Sequence, residues 1–291
     1  MNHRRFPIAI LLILILLGIY YLGFWAWLAA AMLIMSLGLR EFINFTKQKS
    51  KLNYTILQSL LALLIICPYL LSSWIDDRQK IFIMSLSIAI LTIIAFFTIL
   101  NLTLRDCKTR KKRELFSPKT IFKINTLALI YLGVFPSFFI YILEFDTFGN
   151  EFLLTILLTV IASDSGAYIV GKLIGKNKIF PNTSPRKTLE GSLGGLFSAA
   201  FVFTSSYYYF TGLGLSFKSW TLYLIFLAGI TIAVFAQLGD YYESLIKRYF
   251  LVKNSGTLLA SHGGILDRID SHCVGIVIAY IALVILHHLN L

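Results

Sequence analysis

The sequence SLIKRYFLVKNSGTLLASHGGILDRID, residues 244–270, lies between two apolar runs at 219–239 and 271–291. Each run is long enough to cross a bilayer, which takes roughly 20 helical residues. The stretch between them is rich in lysine, arginine and aspartate and contains a Gly-Gly pair. Charges beside lipid are costly and usually serve a function. This part of the chain therefore predicts two membrane helices joined by a functional polar segment.

Apolar runs recur along the rest of the chain, which is 57% hydrophobic and only 14% charged. This composition excludes a soluble globular protein. The other runs are 6–39, 52–75, 81–104, 124–143, 152–171 and 191–217. The first is too long for one span, and we expect two short helices that turn near Tyr21–Phe24. We therefore predict an all-α polytopic integral membrane protein with about nine transmembrane helices.

The positive charge of the chain, a net +12, is distributed unevenly. With the N-terminus inside, all of the 26 lysines and arginines except Arg78, Lys80 and Lys218 fall on the inner side. This is the positive-inside pattern, so the N-terminus is expected inside and the C-terminus outside the cytoplasmic membrane. It also explains the net charge without a nucleic-acid partner, because no soluble basic and aromatic module exists to bind one.

Two inner segments, 164–190 and 240–270, combine acids with cations, and we expect function there. The other inner segments are basic without an acidic cluster, which is typical of topology signals and of attraction to anionic lipids. We therefore divide the chain into N-terminal transmembrane helices, 1–145, as a lipid-facing membrane scaffold, and a catalytic transmembrane region, 146–291. The small residues of 191–200 indicate close helix packing rather than phosphate binding.

The beginning of the last inner segment has polar residues at helical spacing. They are Asp240, Glu243, Ser244 and Lys247, which would share one face of a helix. Glu243 and Lys247 are equally well explained as an ordinary i,i+4 salt bridge. Lys247, Arg248 and Lys253 supply three cations that suit a polyanion such as a triphosphate.

The Gly263-Gly264 pair predicts a backbone break, followed by a helix that presents Asp267 and Asp270 from its first turn. Acids are also ordinary capping residues at a helix N-terminus. Two of them flanking Arg268, however, suit Mg²⁺, which takes carboxylate oxygens together with substrate phosphates. His262 alone is more often a structural residue than a ligand.

The other inner segment supplies matching groups. Asp164 lies roughly 18 Å along its helix, in the inner half of the bilayer, where an ionisable group is a functional candidate. In SPRKTLEG, residues 184–191, Pro185 and Thr188 suit a helix start, and Arg186 with Lys187 suits a phosphate. The sequence contains no Ser-His-Asp arrangement, P-loop or zinc-ligand spacing. Metal-assisted displacement at phosphorus therefore fits these residues best.

The pattern Ser244, Lys247-Arg248, Lys253, His262-Gly263-Gly264, Asp267-Arg268 and Asp270 resembles the signature of the phosphatidate cytidylyltransferases, also called CDP-diacylglycerol synthases. Three further segments are similar to other motifs of that family: 164–171, 184–191 and 237–240. The resemblance covers roughly residue 150 to the C-terminus, and the first half is similar only in its hydrophobic layout.

The resemblance implies a membrane enzyme that condenses CTP with phosphatidate to CDP-diacylglycerol and pyrophosphate, with one Mg²⁺ ion or two. It implies catalytic roles for Asp240, Lys247, Arg248, Asp267 and Arg268. The implied substrate-binding residues are Ser184, Arg186, Lys187, Thr188, Glu190, Ser244, Lys253, His262, Gly263 and Gly264. The implied metal ligands are Asp164, Asp267, Asp270 and the residue at 254. The active site would face the cytoplasm, and a homodimer is compatible with the sequence.

The chain departs from the family pattern at Asn254, where the family has an acid, and at Ala260, where it usually has Pro or Gly. An amide is a poorer ligand than a carboxylate for a hard cation. Asn254 therefore leaves open a weakly active homologue with a binding role. A CTP-dependent enzyme acting on an isoprenoid alcohol or phosphate also stays open, because apolar helix surfaces encode little about the lipid chain. A transporter is disfavoured because the polar motifs cluster on one face of the membrane.

Overall fold

The computed structural model describes residues 5–46, 51–74, 78–109, 118–144, 148–181, 183–211, 219–258 and 263–288. Within these ranges the chain forms ten α-helices, one short π-helical segment and one two-stranded antiparallel sheet. In the described ranges the predicted apolar runs are helical apart from the turn at Gly23, so the largely α-helical fold is confirmed.

The first four helices are α1 (Arg5–Leu22), α2 (Phe24–Phe45), α3 (Lys51–Trp74) and α4 (Arg78–Thr109). Gly23 separates α1 from α2 with a φ of 76°, a conformation that glycine adopts without steric penalty. The predicted turn near Tyr21–Phe24 is therefore confirmed.

The next helical rod changes its pitch in the middle. It consists of α5 (Pro118–Leu129), a π-helical turn (Ile130–Val134) and α6 (Phe135–Leu143). The amide of Phe135 bonds to the carbonyl of Ile130, five residues back, immediately before Pro136, which has no amide hydrogen to donate. In this wide turn the Tyr131 hydroxyl donates a hydrogen bond of 2.9 Å to the Asp270 carbonyl. The rod thereby contacts the C-terminal helix beneath the polar segment.

The C-terminal half contains α7 (Gly149–Ile174), α8 (Leu189–Thr211), α9 (Ser219–Tyr249) and α10 (Leu266–His288). Helix α9 continues beyond the apolar run that ends at residue 239, so the polar residues from Asp240 to Lys247 are helical, as their spacing predicted. The connecting loop begins only after Tyr249. Helix α10 begins just after the Gly-Gly pair and carries Asp267 in its first turn, also as predicted.

Small residues allow α7 and α8 to pack closely. A Cβ atom on Gly166 would lie 2.3 Å from the Ser198 hydroxyl oxygen, and one on Gly194 would lie 2.4 Å from the Val170 side chain. Neither position leaves room for a larger side chain. The small residues of 191–200 therefore serve helix packing, as we expected.

A β-hairpin between α7 and α8 departs from the all-α prediction. Strands β1 (Lys178–Phe180) and β2 (Ser184–Thr188) pair antiparallel. We expected a helix start at Pro185 and Thr188. Proline disfavours helical backbone in the residue before it, so Ser184 and Pro185 are extended, and only the Thr188 part of the prediction is confirmed. The helix starts later, where the Thr188 hydroxyl accepts a 3.2 Å hydrogen bond from the Gly191 amide.

Among the described residues, six helices are long and apolar enough to cross a membrane. They are Phe24–Phe45, Met84–Thr103, Lys119–Leu143, Gly149–Ile174, Leu222–Tyr249 and Leu266–His287. Large apolar side chains are exposed on the outside of the bundle, for example Leu63, Leu91, Phe197 and Phe201. An apolar exterior of this extent is typical of a lipid-facing surface. The protein is an integral membrane protein.

Candidate active site

A polar cavity of about 420 Å³ opens where α7, α9, the loop after α9 and the start of α10 converge. Its lining is Asp164, Asp240, Lys247, Asn254, Gly263, Asp267, Arg268, Asp270 and Ser271. The two inner segments singled out from the sequence thus meet in space. Eight of these nine residues were candidates on sequence grounds, and Ser271 is the exception.

A second cavity of about 410 Å³ adjoins the first and shares Asp164 and Asp240 with it. One part of its wall is cationic, with Arg186 and Lys187 from the hairpin. The other part is largely apolar and includes Ala167, Tyr168, Ile179, Phe180, Leu196, Val234 and Leu238. The shared aspartates therefore stand between an acidic compartment and a mixed cationic and apolar one.

An ion pair ties the hairpin to α9. The Lys187 ammonium lies 2.6 Å from Asp240 Oδ2, and the Ser244 hydroxyl donates a 3.4 Å hydrogen bond to Asp240 Oδ1. The ring of Phe180 stacks on Tyr241 with centroids 3.8 Å apart. Arg248 adds a 3.2 Å hydrogen bond from its Nε to the Thr183 carbonyl. The hairpin is thereby fixed over the second cavity.

Lys247 lies between two carboxylates at the edge of the polar cavity. Its ammonium contacts Glu243, one turn earlier on α9, and lies 2.6 Å from Asp267 Oδ1. The i,i+4 salt bridge considered from the sequence is thus present, and Lys247 also links α9 to α10. Four aspartates line the polar cavity against two cations, Lys247 and Arg268, and such a lining suits the binding of a metal ion.

Asp267 is the most heavily hydrogen-bonded of the cavity acids. Its carboxylate accepts bonds from the Ser255 amide, at 3.1 and 3.2 Å, and from the Gly264 amide at 2.9 Å, besides the Lys247 ion pair. The adjacent Gly263 has a φ of 84°, which turns the chain into α10. Asp267 therefore holds the loop before α10 as a capping residue while it faces the cavity.

Asp164 and Asp270 are less engaged. Within the described part of the chain Asp164 makes no hydrogen bond or ion pair, and Asp270 Oδ1 accepts only from the neighbouring Ser271, at 2.7 and 3.4 Å. The same residues contain no group of three or more side chains poised to hold a metal ion. Mg²⁺ is usually held by one or two carboxylates and completed by substrate phosphates, so this donor set fits such an ion.

Other candidates from the sequence lie beside the cavities. Lys253 is exposed on the loop after α9, and Ser184 and Thr188 are on β2, with Thr188 at the second cavity. Glu190 accepts hydrogen bonds from the amides of Lys176 and Asn177, at 3.0 and 3.2 Å. The pKa of Glu190 is lowered most by a hydrogen bond from its own backbone amide, and these bonds lower it further. The predicted residue His262 lies outside the described residues.

Two polar residues that matter to the site were not given a role from the sequence, although one of them, Gln237, lies in the motif-like segment 237–240. Gln237 donates 3.2 Å hydrogen bonds to the Ser163 hydroxyl and the Ser192 carbonyl, which joins α7, α8 and α9 at the second cavity. Glu41 reaches the start of α10 from α2. A lone acid directly after an apolar run was a signal that could have identified Glu41.

Comparison of the sequence with known proteins identifies a family. The model described as the cytidylyltransferase family matches residues 3–286. The chain belongs to the cytidylyltransferase family. The match also covers the first half, where the sequence motifs showed no resemblance beyond hydrophobic layout.

Relatives in this family carry a more specific name. A protein of Staphylococcus haemolyticus (strain JCSC1435), named phosphatidate cytidylyltransferase, is 32% identical over 263 residues, which is 90% of this chain and 92% of that protein. Proteins of the same name from Bacillus subtilis (strain 168) and Staphylococcus aureus (strain COL) are 34% and 31% identical. These alignments cover 82% of both chains for the former, and 90% and 92% for the latter.

Proposed function

We propose that this protein is a membrane enzyme that condenses CTP with phosphatidate to give CDP-diacylglycerol and pyrophosphate in phospholipid biosynthesis. The observation that carries the proposal is the pair of adjoining cavities that share Asp164 and Asp240. One is acidic and suits a triphosphate with its metal ion, and the other combines two cations with an apolar wall. The names of the relatives support the same substrates.

The polar cavity is proposed to hold the CTP triphosphate. One or two of the carboxylates of Asp164, Asp267 and Asp270, completed by phosphate oxygens, would hold each Mg²⁺ ion, one or two in number, with Asp240 and Asn254 beside them. When bound, Mg²⁺ supplies charge neutralisation on the triphosphate. Arg268 and Lys247, with Arg248 and Lys253 nearby, balance the charge of the pyrophosphate as it leaves.

The second cavity is proposed to hold the phosphatidate headgroup. Arg186 and Lys187 would bind its phosphate, and the apolar wall formed by residues such as Leu196 and Val234 would contact the acyl chains. An oxygen of that phosphate attacks the α-phosphorus of CTP, and the bond to the β-phosphate breaks. The attacking monoester is already anionic, so positioning matters more than a strong base. The shared aspartates lie where the two substrates meet.

The proposed topology follows the distribution of positive charge. Nine crossings, with the N-terminus inside and the C-terminus outside, place both cavities on the cytoplasmic face of the cytoplasmic membrane. Residues 1–145 then form the membrane scaffold, and residues 146–291 form the catalytic region. The reaction needs no nucleic-acid partner, and a monomer or a homodimer can carry it out, because every proposed side chain comes from one chain.

The test is an assay of the full-length protein in detergent with Mg²⁺ and radiolabelled CTP. Phosphatidate and a polyprenyl phosphate are offered separately, and labelled lipid is separated by chromatography. We expect CDP-diacylglycerol from phosphatidate alone, and none after chelation of the metal or in the Asp270→Asn variant. Labelled product from the polyprenyl phosphate only, or no labelled lipid at all, would overturn the proposal.

A further inference from the structure

Glu41 lies near the end of α2, a helix of the first half of the chain, and is only 5% exposed. Its carboxylate accepts three hydrogen bonds from residues more than two hundred positions later. They come from the Ser255 hydroxyl at 2.8 Å and from the amides of Ile265 and Leu266, each at 3.0 Å. A buried carboxylate needs such partners, because burial without them is costly.

The three donors belong to two different parts of the polar cavity wall. The amides of Ile265 and Leu266 are at the N-terminus of α10, where backbone amides lack helical partners and a negative charge is stabilising. Ser255 belongs to the loop after α9. Glu41 therefore joins that loop to the start of α10 through a single carboxylate.

Asp267 makes the complementary connection. It accepts hydrogen bonds from the Ser255 amide, whereas Glu41 accepts one from the Ser255 hydroxyl. Ser255, which is 5% exposed, is thus held on two sides by two carboxylates. Its neighbour Asn254 lines the polar cavity, as does Gly263 on the other side of the connection.

Two glycines leave the space that Glu41 occupies. A Cβ atom on Gly264 would lie 2.2 Å from Glu41 Oε2 and 2.1 Å from the Ser255 hydroxyl oxygen. A Cβ atom on Gly256 would lie 2.6 Å from Glu41 Oε1. Gly264, the second glycine of the pair, is therefore needed for the contact with α2. This requirement is independent of any contact between Gly264 and the substrate.

We propose that Glu41 is a positioning residue for nucleotidyl transfer. It does not line either cavity described above; it fixes the loop and the helix start that form one wall of the polar cavity. The inference rests on the proposed assignment of that cavity to the CTP triphosphate. Through Glu41, the N-terminal helices would help to position the groups that bind CTP and its metal ion.

The test compares Glu41→Gln with wild type. Glutamine keeps the size but turns one acceptor oxygen into an NH₂ donor that faces other donors. We expect the half-saturating concentrations of CTP and Mg²⁺ to rise about tenfold, as for a lost charged hydrogen bond. The half-saturating phosphatidate concentration should stay near the wild-type value. Direct binding of labelled CTP, measured without phosphatidate, should weaken by the same factor.

Glu151→Gln is the matched control, because Glu151 accepts a 3.2 Å hydrogen bond from the Tyr20 hydroxyl on α1 and lines neither cavity. It should leave CTP binding unchanged. Ser255→Ala removes one of the three donors and should show a smaller effect of the same kind. In the Glu41→Gln background Ser255→Ala should add little. The single variant Ser255→Ala also provides the test if Glu41→Gln does not fold.

Unchanged CTP and Mg²⁺ dependence in both folded variants would overturn the inference. So would a fall in kcat and thermal stability with every half-saturating concentration preserved, because that pattern indicates a general structural role. Failure of the proposed function is distinguishable. In that case the wild type makes no CDP-diacylglycerol, while the CTP-binding measurement still reports on Glu41.

Discussion

The Lys187 ammonium lies 2.6 Å from Asp240 Oδ2, so the one acid that faces both cavities from α9 is paired with the hairpin. Asp240 lines the polar cavity and Lys187 lines the second cavity. If phosphatidate binds as proposed, its phosphate would compete with Asp240 for Lys187 and would leave the Asp240 carboxylate free to face the polar cavity. We therefore expect binding in the second cavity to change the charge in the polar cavity.

Lys187→Ala should raise the half-saturating phosphatidate concentration about tenfold and that of CTP by much less, because the lost cation belongs to the second cavity. Initial rates with each substrate varied in turn measure this. Lys178→Ala, on the opposite strand of the same hairpin, is the matched control and should resemble wild type. A larger effect on CTP than on phosphatidate would contradict the assignment of the two cavities.

Asp267→Asn should lower kcat by at least about a hundredfold, as expected when a preorganised charge is lost from an active site. The change removes an ion-pair partner of Lys247 and weakens the hold on Ser255. Turnover is compared with that of Glu151→Gln in the same detergent. Activity near the wild-type level would refute a role for Asp267 in the reaction.

Asn254→Asp should lower the Mg²⁺ concentration needed for half-maximal rate severalfold, because a carboxylate replaces an amide at the border of the polar cavity. The measurement is a metal titration at saturating CTP and phosphatidate. Asn254→Ala is the companion variant and should show no such gain. If both variants titrate like wild type, position 254 does not influence the metal ion.

Phe180→Ala should loosen the hairpin, because the stacked contact with Tyr241 contributes about 1 kcal/mol beyond burial. We expect a higher half-saturating phosphatidate concentration and faster proteolysis within residues 178–188. Phe197→Ala on the exposed surface of α8 controls for the loss of an aromatic ring. Equal proteolysis of the two variants would mean that the stack does not hold the hairpin.

The sequence predicted features that are marked by a long hydrophobic run or by a residue spacing typical of a helix. Hydrophobic runs placed the helices, and spacing of three and four residues placed Asp240, Glu243 and Lys247 on one helix face. The meeting of Asp164 with the final polar segment was expected from motif resemblance and charge, and both line the polar cavity.

The rest depends on contacts that a local pattern does not encode. The hairpin is short and rich in charge, and its extended backbone follows from Pro185 in a segment that also resembled a helix start. The hydrogen bonds of Glu41 join positions 214 to 225 residues apart, a separation at which no periodicity is visible.

That separation has a consequence for biogenesis. Helix α2 leaves the ribosome long before α10, so the Glu41 carboxylate is synthesised without the Ser255, Ile265 and Leu266 donors that it meets in the finished protein. An acid without partners is stable only in water, which keeps the end of α2 at the membrane surface during insertion. The polar cavity can therefore be completed only after α10 has been synthesised and has docked. A chain truncated before α10 would lack the Ile265 and Leu266 donors and would retain a buried carboxylate on α2 without these partners.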